Sequence, residues 1–248
     1  MKKLKLICSL VLIFTVCFLP AEPKKPEKEK AKNQKLKFIE PTIHNLQINC
    51  IDFDGSIYFI DNFTLSKKDV QKGKICFLLN SDFIYSEILA NGKLLYLLSH
   101  TTNGPYDFDP DLGQKLYTRI LATCYVYEIA FDKITDLPDT IDICFKYHLK
   151  TPRKAAMFKP QNDILQMNGM DFWYPRHPLK DTNLYLTVKT TDVMSFSLNG
   201  KAVNYSMLDK YTKEYIVNIK DAYAAPATII FRQKAKVAQP GEQLIRNQ

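Results

Sequence analysis

Glycine is scarce in this chain, with 8 among 248 residues. Phosphate and dinucleotide sites need glycines where the backbone closes on an anion. No such loop occurs, and no G-x-S-x-G elbow is present, so neither a nucleotide cofactor nor an esterase-type nucleophile is indicated. Histidine is scarcer still: His44, His100, His148 and His177 are the whole supply. None begins an H-E-x-x-H pair, the spacing that sets two imidazoles on one face of a helix to bind zinc. Ser99 and His100 are sequence neighbours, but adjacent strand residues face opposite ways, so they make no dyad. No C-x-x-C spacing exists, which argues against a redox site or zinc knuckle. No catalytic residue or cofactor is expected.

The formal charge of +8 is also less than it seems. Residues 1–37 hold ten Lys against three Glu, which leaves the other 211 residues at +1. A nearly neutral body releases few counterions from phosphate, so no nucleic-acid partner is expected.

Residues 1–21 have the form of an export signal. Met1-Lys2-Lys3-Leu4-Lys5 is a basic start, Leu6 to Leu19 is apolar apart from Ser9 and Thr15, and Ala21 is a plausible cleavage point. The run is shorter than the roughly 20 residues of a spanning helix. A lipidated Cys17, or an uncleaved anchor giving membrane association through this segment, are the alternatives to a soluble periplasmic or extracellular protein. Residues 22–37 are rich in Lys, Glu and Pro, and read as a solvated tether. Residues 237–248 read as a flexible tail.

From residue 38 to 236 the pattern has a period of two, the mark of sheets with one buried face. Leu46, Ile48 and Cys50 alternate with Asn45, Gln47 and Asn49. Asn91-Gly92 and Asn199-Gly200, each between apolar runs, mark tight hairpins. A long alternation from Tyr117 to Phe131 reads as one strand, paired with Ile141–Tyr147 across the loop 132–139. Lys74–Leu79, Leu184–Val188, Met194–Leu198, Tyr215–Ile219 and Ala227–Arg232 read as further strands. Only Ser206–Lys210 hints at a helical period. The expected fold is all-β, an antiparallel β-sandwich with at most a few short helical turns.

Three groups of residues are candidate sites. Asp107, Asp109 and Asp111 place carboxylates at alternate positions, as a calcium loop does. However, Gly113 falls one place late, Pro110 stiffens the middle and Thr118 stands where the closing Glu would be, so a solvated acidic loop is the simpler reading. Cys50, Cys76, Cys124 and Cys144 follow the leader, an even number suited to disulfides in an oxidising compartment; buried free thiols are the alternative. Trp173 and Tyr174, beside Arg176, could form a stacking platform on a loop, or simply anchor the core.

The segment Met167-Asn168-Gly169-Met170-Asp171-Phe172-Trp173-Tyr174-Pro175-Arg176, followed by Leu184–Val188 and Ser197-Leu198-Asn199-Gly200, resembles the aminopeptidase N family of zinc metallopeptidases. Its bacterial members carry a W-Y-P run, then a strand of the form L-x-L-T-V, then a turn ending in N-G. Leu78-Leu79-Asn80 with Asn91-Gly92-Lys93, and Tyr125 through Pro138 to Tyr147, fit the same domain. The match spans about residues 40–236. The resemblance implies the family's N-terminal domain, a saddle-like β-sandwich, without the thermolysin-like domain that carries H-E-x-x-H. It also implies that Gln166 or Asn168 stands nearest the family's contact to a substrate amino group.

These readings point to an exported, non-catalytic β-sandwich that binds a protein or peptide partner. The alternatives are a carbohydrate-binding module using Trp173, Tyr174 and Tyr85, and the non-catalytic part of a split or degenerate metallopeptidase.

Overall fold

The computed structural model describes residues 34–35, 38–39, 41–70, 74–101, 106–107, 114–131, 136–220 and 227–234. The expected export signal, most of the tether, the tail, and Asp109 and Asp111 of the acidic loop lie outside these residues. In chain order the strands are β1 (Gln34–Lys35), β2 (Ile43–Cys50), β3 (Ile57–Ser66), β4 (Lys74–Asn80), β5 (Phe83–Ala90), β6 (Lys93–Leu94), β7 (Leu97–Thr101) and β8 (Tyr106–Asp107). They continue as β9 (Cys124–Ala130), β10 (Thr140–Leu149), β11 (Phe158–Lys159), β12 (Ile164–Asn168), β13 (Asn183–Thr191), β14 (Met194–Leu198), β15 (Lys201–Ala202), β16 (Ser206–Met207), β17 (Thr212–Ile219) and β18 (Thr228–Gln233). Among the described residues two α-helices interrupt them, α1 (Lys67–Val70) and α2 (Gln114–Thr123).

An eight-stranded sheet runs β16-β17-β13-β2-β3-β10-β5-β6. Its long strands β2, β3, β10, β13 and β17 alternate: β2 is exposed and buried by turns, with Leu46, Ile48 and Cys50 inward. β3 turns Ile57, Phe59, Phe63 and Leu65 the same way, and β10 adds Ile141, Ile143, Phe145 and Tyr147. Pairing is antiparallel except between β13 and β2, which run parallel from Asn183↔Ile43 to Thr190↔Cys50.

Against this inward face lie a three-stranded sheet, β4-β9-β7, and a five-stranded sheet, β11-β12-β18-β14-β15. Phe77 of β4 meets Phe145 of β10 edge-on at 5.0 Å, and Phe196 of β14 meets Tyr215 of β17 at 5.3 Å. Both smaller sheets contribute to one buried cluster with the large one. The layers are therefore held by aromatic contact across the sandwich, and full burial of each such side chain contributes roughly 1.5–3 kcal/mol.

Both expected hairpin turns are present. Asn91 and Gly92 have φ of 48° and 76°, Asn199 and Gly200 of 51° and 75°, the left-handed pair that a tight hairpin requires.

Four expectations need correction. The alternation from Tyr117 is not strand until Cys124, because Gln114–Thr123 is helical. Leu116 and Ile120 lie one helical turn apart and face a second core cluster with Phe38, Leu78 and Phe172, and this four-residue spacing outweighs the alternation. The strand that follows, β9, pairs with β4 and β7, whereas β10 pairs with β3 and β5, so the loop 132–139 joins two sheets rather than closing a hairpin. Ser206–Lys210 is not helical; Ser206–Met207 is a strand, and Leu208 N donates to Thr212 O at 2.9 Å to close a hairpin. Finally, Gln34–Lys35, assigned to the tether, pair in parallel with Tyr106–Asp107.

Candidate binding surface

The segment that carries Trp173 is built as a wedge into the core. At the end of β12, the side chain of Asn168 accepts from Met170 N at 2.8 Å, and Asp171 Oδ2 accepts from Asn168 N at 2.8 Å. This reciprocal cap closes a single 3₁₀ turn, Gly169–Asp171. Phe172 then takes φ of 50° and turns the chain inward. Trp173, Tyr174 and Arg176 are each 1% exposed or less. The Arg176 guanidinium donates to Gly169 O at 2.8 Å and stacks 4.9 Å from the Phe172 ring, and further donations reach the carbonyls of His177 and Pro178. Its charge is thus spent on holding its own loop shut.

A stacking platform needs an open ring face, and Trp173 and Tyr174 offer none. The remaining residues of this group are also occupied. Gln166 Oε1 accepts from Lys159 Nζ, and the Asn168 side chain is engaged in the cap. Tyr85 is half-buried, with its ring stacked on Phe145 at 6.2 Å.

The wedge ends beside a pair that sequence reading passed over. His44 Nδ1 and Asp61 Oδ2 are 2.7 Å apart, both side chains fully buried, with the imidazole between Phe63 and Tyr174. Tyr147 Oη donates to Trp173 O at 3.1 Å. Burial pushes the Tyr147 phenol well above its usual value, with the Asp61 charge adding to it, and burial raises Tyr174 too. Among the described residues, His44 Nε2, Asp61 Oδ1 and Trp173 Nε1 have no hydrogen-bond partner. A His–Asp pair can orient a base, but this one is sealed from solvent, so it can act on nothing outside the core. Its signal was present in the sequence as phase: His44 shares the inward phase of Leu46 and Ile48, and Asp61 that of Phe59 and Phe63.

The four cysteines are free thiols. On adjacent strands β4 and β9, Cys76 stands opposite Glu128 and Cys124 opposite Asn80. At about 3.3 Å per residue, that four-residue offset puts the two sulfurs far beyond disulfide reach. Burial pushes the Cys124 thiol up to about 11 and raises Cys50 and Cys144 as well, so none of these three is a ready thiolate near neutral pH. Among the described residues, no group of three or more His, Cys, Asp or Glu could hold a metal ion.

The outward face of the large sheet is different. Across β2, β3, β10 and β5 one rung reads Asn45, Asn62, Cys144, Leu89. Along it lies an open groove of about 510 Å³, bordered also by Ile43, Thr64 and Asp142. The wall at Gly92 is fixed by the hairpin, where Asn91 Oδ1 accepts from Asp142 N at 2.9 Å and Asn91 N donates to Asp142 O at 2.8 Å. The side-chain amides of Asn45 and Asn62 make no hydrogen bond among the described residues. Ile43 is 41% exposed beside them. The groove therefore offers amide donors and acceptors flanked by apolar surface, on a rigid sheet.

No protein-family model matches this sequence, and no curated protein matches it. Among solved structures, the fold is similar to the M1 zinc metallopeptidase from Deinococcus radiodurans, at 11% identity and a TM-score of 0.44, over 77% of this chain and 41% of that one. It is also similar to native yeast LTA4 hydrolase, at 10% identity and a TM-score of 0.48, over 78% of this chain and 29% of that one. The chain thus spans less than half the length of these proteins. The zinc peptidases, whose N-terminal domain the Trp173 segment resembles in sequence, are met again here among the solved structures.

Proposed function

We propose that this chain is an exported binding module without catalytic machinery of its own, and that it receives a protein or peptide partner on the outward face of the eight-stranded sheet. One observation carries the reading: the groove over Asn45, Asn62 and Leu89 sets unpartnered amides beside exposed apolar surface on a rigid floor. An extended peptide presents alternating amide and side-chain groups, and such a surface complements both. The sugar-platform alternative loses its stacking rings, because Trp173 and Tyr174 are core residues.

The test is photo-cross-linking. A photoreactive residue at Leu89 is expected to give one discrete cross-linked product in the native envelope fraction, and one at Val193, exposed elsewhere, none. Identical products from both positions would remove the assignment of this face. Hydrolysis of aminoacyl-anilides by the purified chain on addition of zinc would remove the non-catalytic reading instead.

A further inference from the structure

The eight-stranded sheet ends unevenly at β17. Its closing strand, β16, is two residues long and faces only Lys213 and Glu214. Beyond them, Tyr215 to Ile219 pair with β13 on one side, and among the described residues no strand pairs with them on the other. The outermost strands β6, β11 and β15 are each two residues long and each carries a Lys, the usual protection of a sheet edge. The open part of β17 reads Tyr-Ile-Val-Asn-Ile, without charge, proline or glycine. Within it Ile216 points away from the core and is 74% exposed. Such an edge is a template for one more strand.

We propose that the strand completing this edge is β17 of a second copy of the chain, joined antiparallel about a two-fold axis at Val217. In a two-fold pair, residue i meets residue j and j meets i. Tyr215, Val217 and Ile219 are buried, whereas Ile216, Asn218 and Lys220 are exposed, so only registers that oppose like with like keep the inward phase. Of these, the register centred on Val217 sets Glu214 opposite Lys220 of the second copy, once on each side of the axis. Centring on Ile216 sets Glu214 opposite Asn218, and centring on Asn218 sets Ile216 opposite Lys220, so either shift loses both ion pairs. Lys220 forms no ion pair among the described residues. Glu214 lies 3.9 Å from Lys189 of β13, so its carboxylate would stand between two ammonium groups. Lys213 takes no part, because its Nζ donates to the carbonyls of Asp192 and Met194 at 2.8 and 3.1 Å. The two Ile216 side chains then lie diagonally across the axis, within reach of one another. The groove begins two strands away, at β2, and the pairing leaves it open.

Sedimentation equilibrium of the full chain is the test. The native chain is expected to show a reversible monomer–dimer equilibrium. Ile216→Lys, Lys220→Glu and Glu214→Lys should each weaken it at least tenfold. Ile216 and Lys220 are exposed and Glu214 is half-buried, so the melting temperature of each variant should barely move. Lys220→Glu and Glu214→Lys, each monomeric alone, should form a heterodimer when mixed in equal parts, because opposite charges again meet on both sides of the axis. A native chain that stays monomeric overturns the proposal. So does a dimer that survives Ile216→Lys, which would assign the pairing to another element such as the basic N-terminal segment. If the two charge variants remain monomeric after mixing, the register at Val217 is wrong and the proposal falls.

Discussion

On β2, β3 and β10 the inward side chains are Leu46, Ile48, Phe59, Phe63, Phe145 and their like, whereas the outward ones are Asn45, Gln47, Asn62, Thr64, Asp142 and Lys146. The strands are the same and the difference is one residue of phase. A slip of a single residue would bring the amides into the core and the phenyl rings into water, which is why the register of this sheet is so strongly specified. The contrast teaches where each kind of work is done: the inward face is closed by packing, while the outward face pairs Lys146 with Glu87 and keeps the amides of Asn45 and Asn62 unspent.

That contrast can be broken at both faces. Phe145→Ala removes a ring that touches Phe77, Tyr85 and Tyr147. It is expected to cost about 3–5 kcal/mol in urea unfolding. Asn62→Ala on the adjacent strand should change stability by no more than about 0.5 kcal/mol, while abolishing the Leu89 cross-link. If the two substitutions cost the same, the outward face is not solvent-facing.

The buried pair sharpens the point. Asp61→Ala strands His44 in an apolar pocket and should cost about 3 kcal/mol. Replacing both residues by Leu should recover much of that loss, because no uncompensated polar group remains; a double variant as unstable as Asp61→Ala would assign the pair a role beyond packing. At the hairpin, Gly92→Ala meets nothing within 4 Å, yet is forced to φ of 76°. The expected cost is about 1–2 kcal/mol from backbone strain alone, read as a lower urea midpoint with unchanged slope.

The smallest expected effect is a pH dependence on the outward face. His148 bonds Ser86 Oγ at 3.0 Å, and partial burial, aided by Lys150, holds its imidazole below the usual 6.5. A depressed histidine favours the neutral folded form. Its contribution is therefore complete above pH 6.5 and is lost as pH falls through the lower folded value. Below pH 6.5, melting temperature should decline slightly less steeply in His148→Gln than in the native chain.

Much of the fold could be read from the sequence because alternation and turn chemistry are local. Leu46, Ile48 and Cys50 were legible as an inward face, and Asn91-Gly92 and Asn199-Gly200 as turns, since only a few residue types accept positive φ. Partner strands were not legible. The run ending at Phe131 and the strand starting at Thr140 look like a hairpin, but lie in different sheets because the core, not the loop, selects the pairing. The helix Gln114–Thr123 was hidden because Tyr117, Arg119 and Leu121 satisfy a period of two by chance, while Leu116 and Ile120 carry the real contact. The site was less legible than the fold. Trp173 and Tyr174 invite a binding role by residue type, yet burial is a property of the surrounding chain. The groove on the outward face is assembled from side chains on four strands, a neighbourhood that no linear window contains.

Acrylamide quenching of Trp173 tests the division of faces most directly, because the chain has no other Trp. A sealed indole predicts blue-shifted emission that resists acrylamide until urea unfolds the protein. Emission quenched like free indole in the native state would mean that the segment 172–176 lies open, and that the binding surface is there and not on the outward face of the sheet.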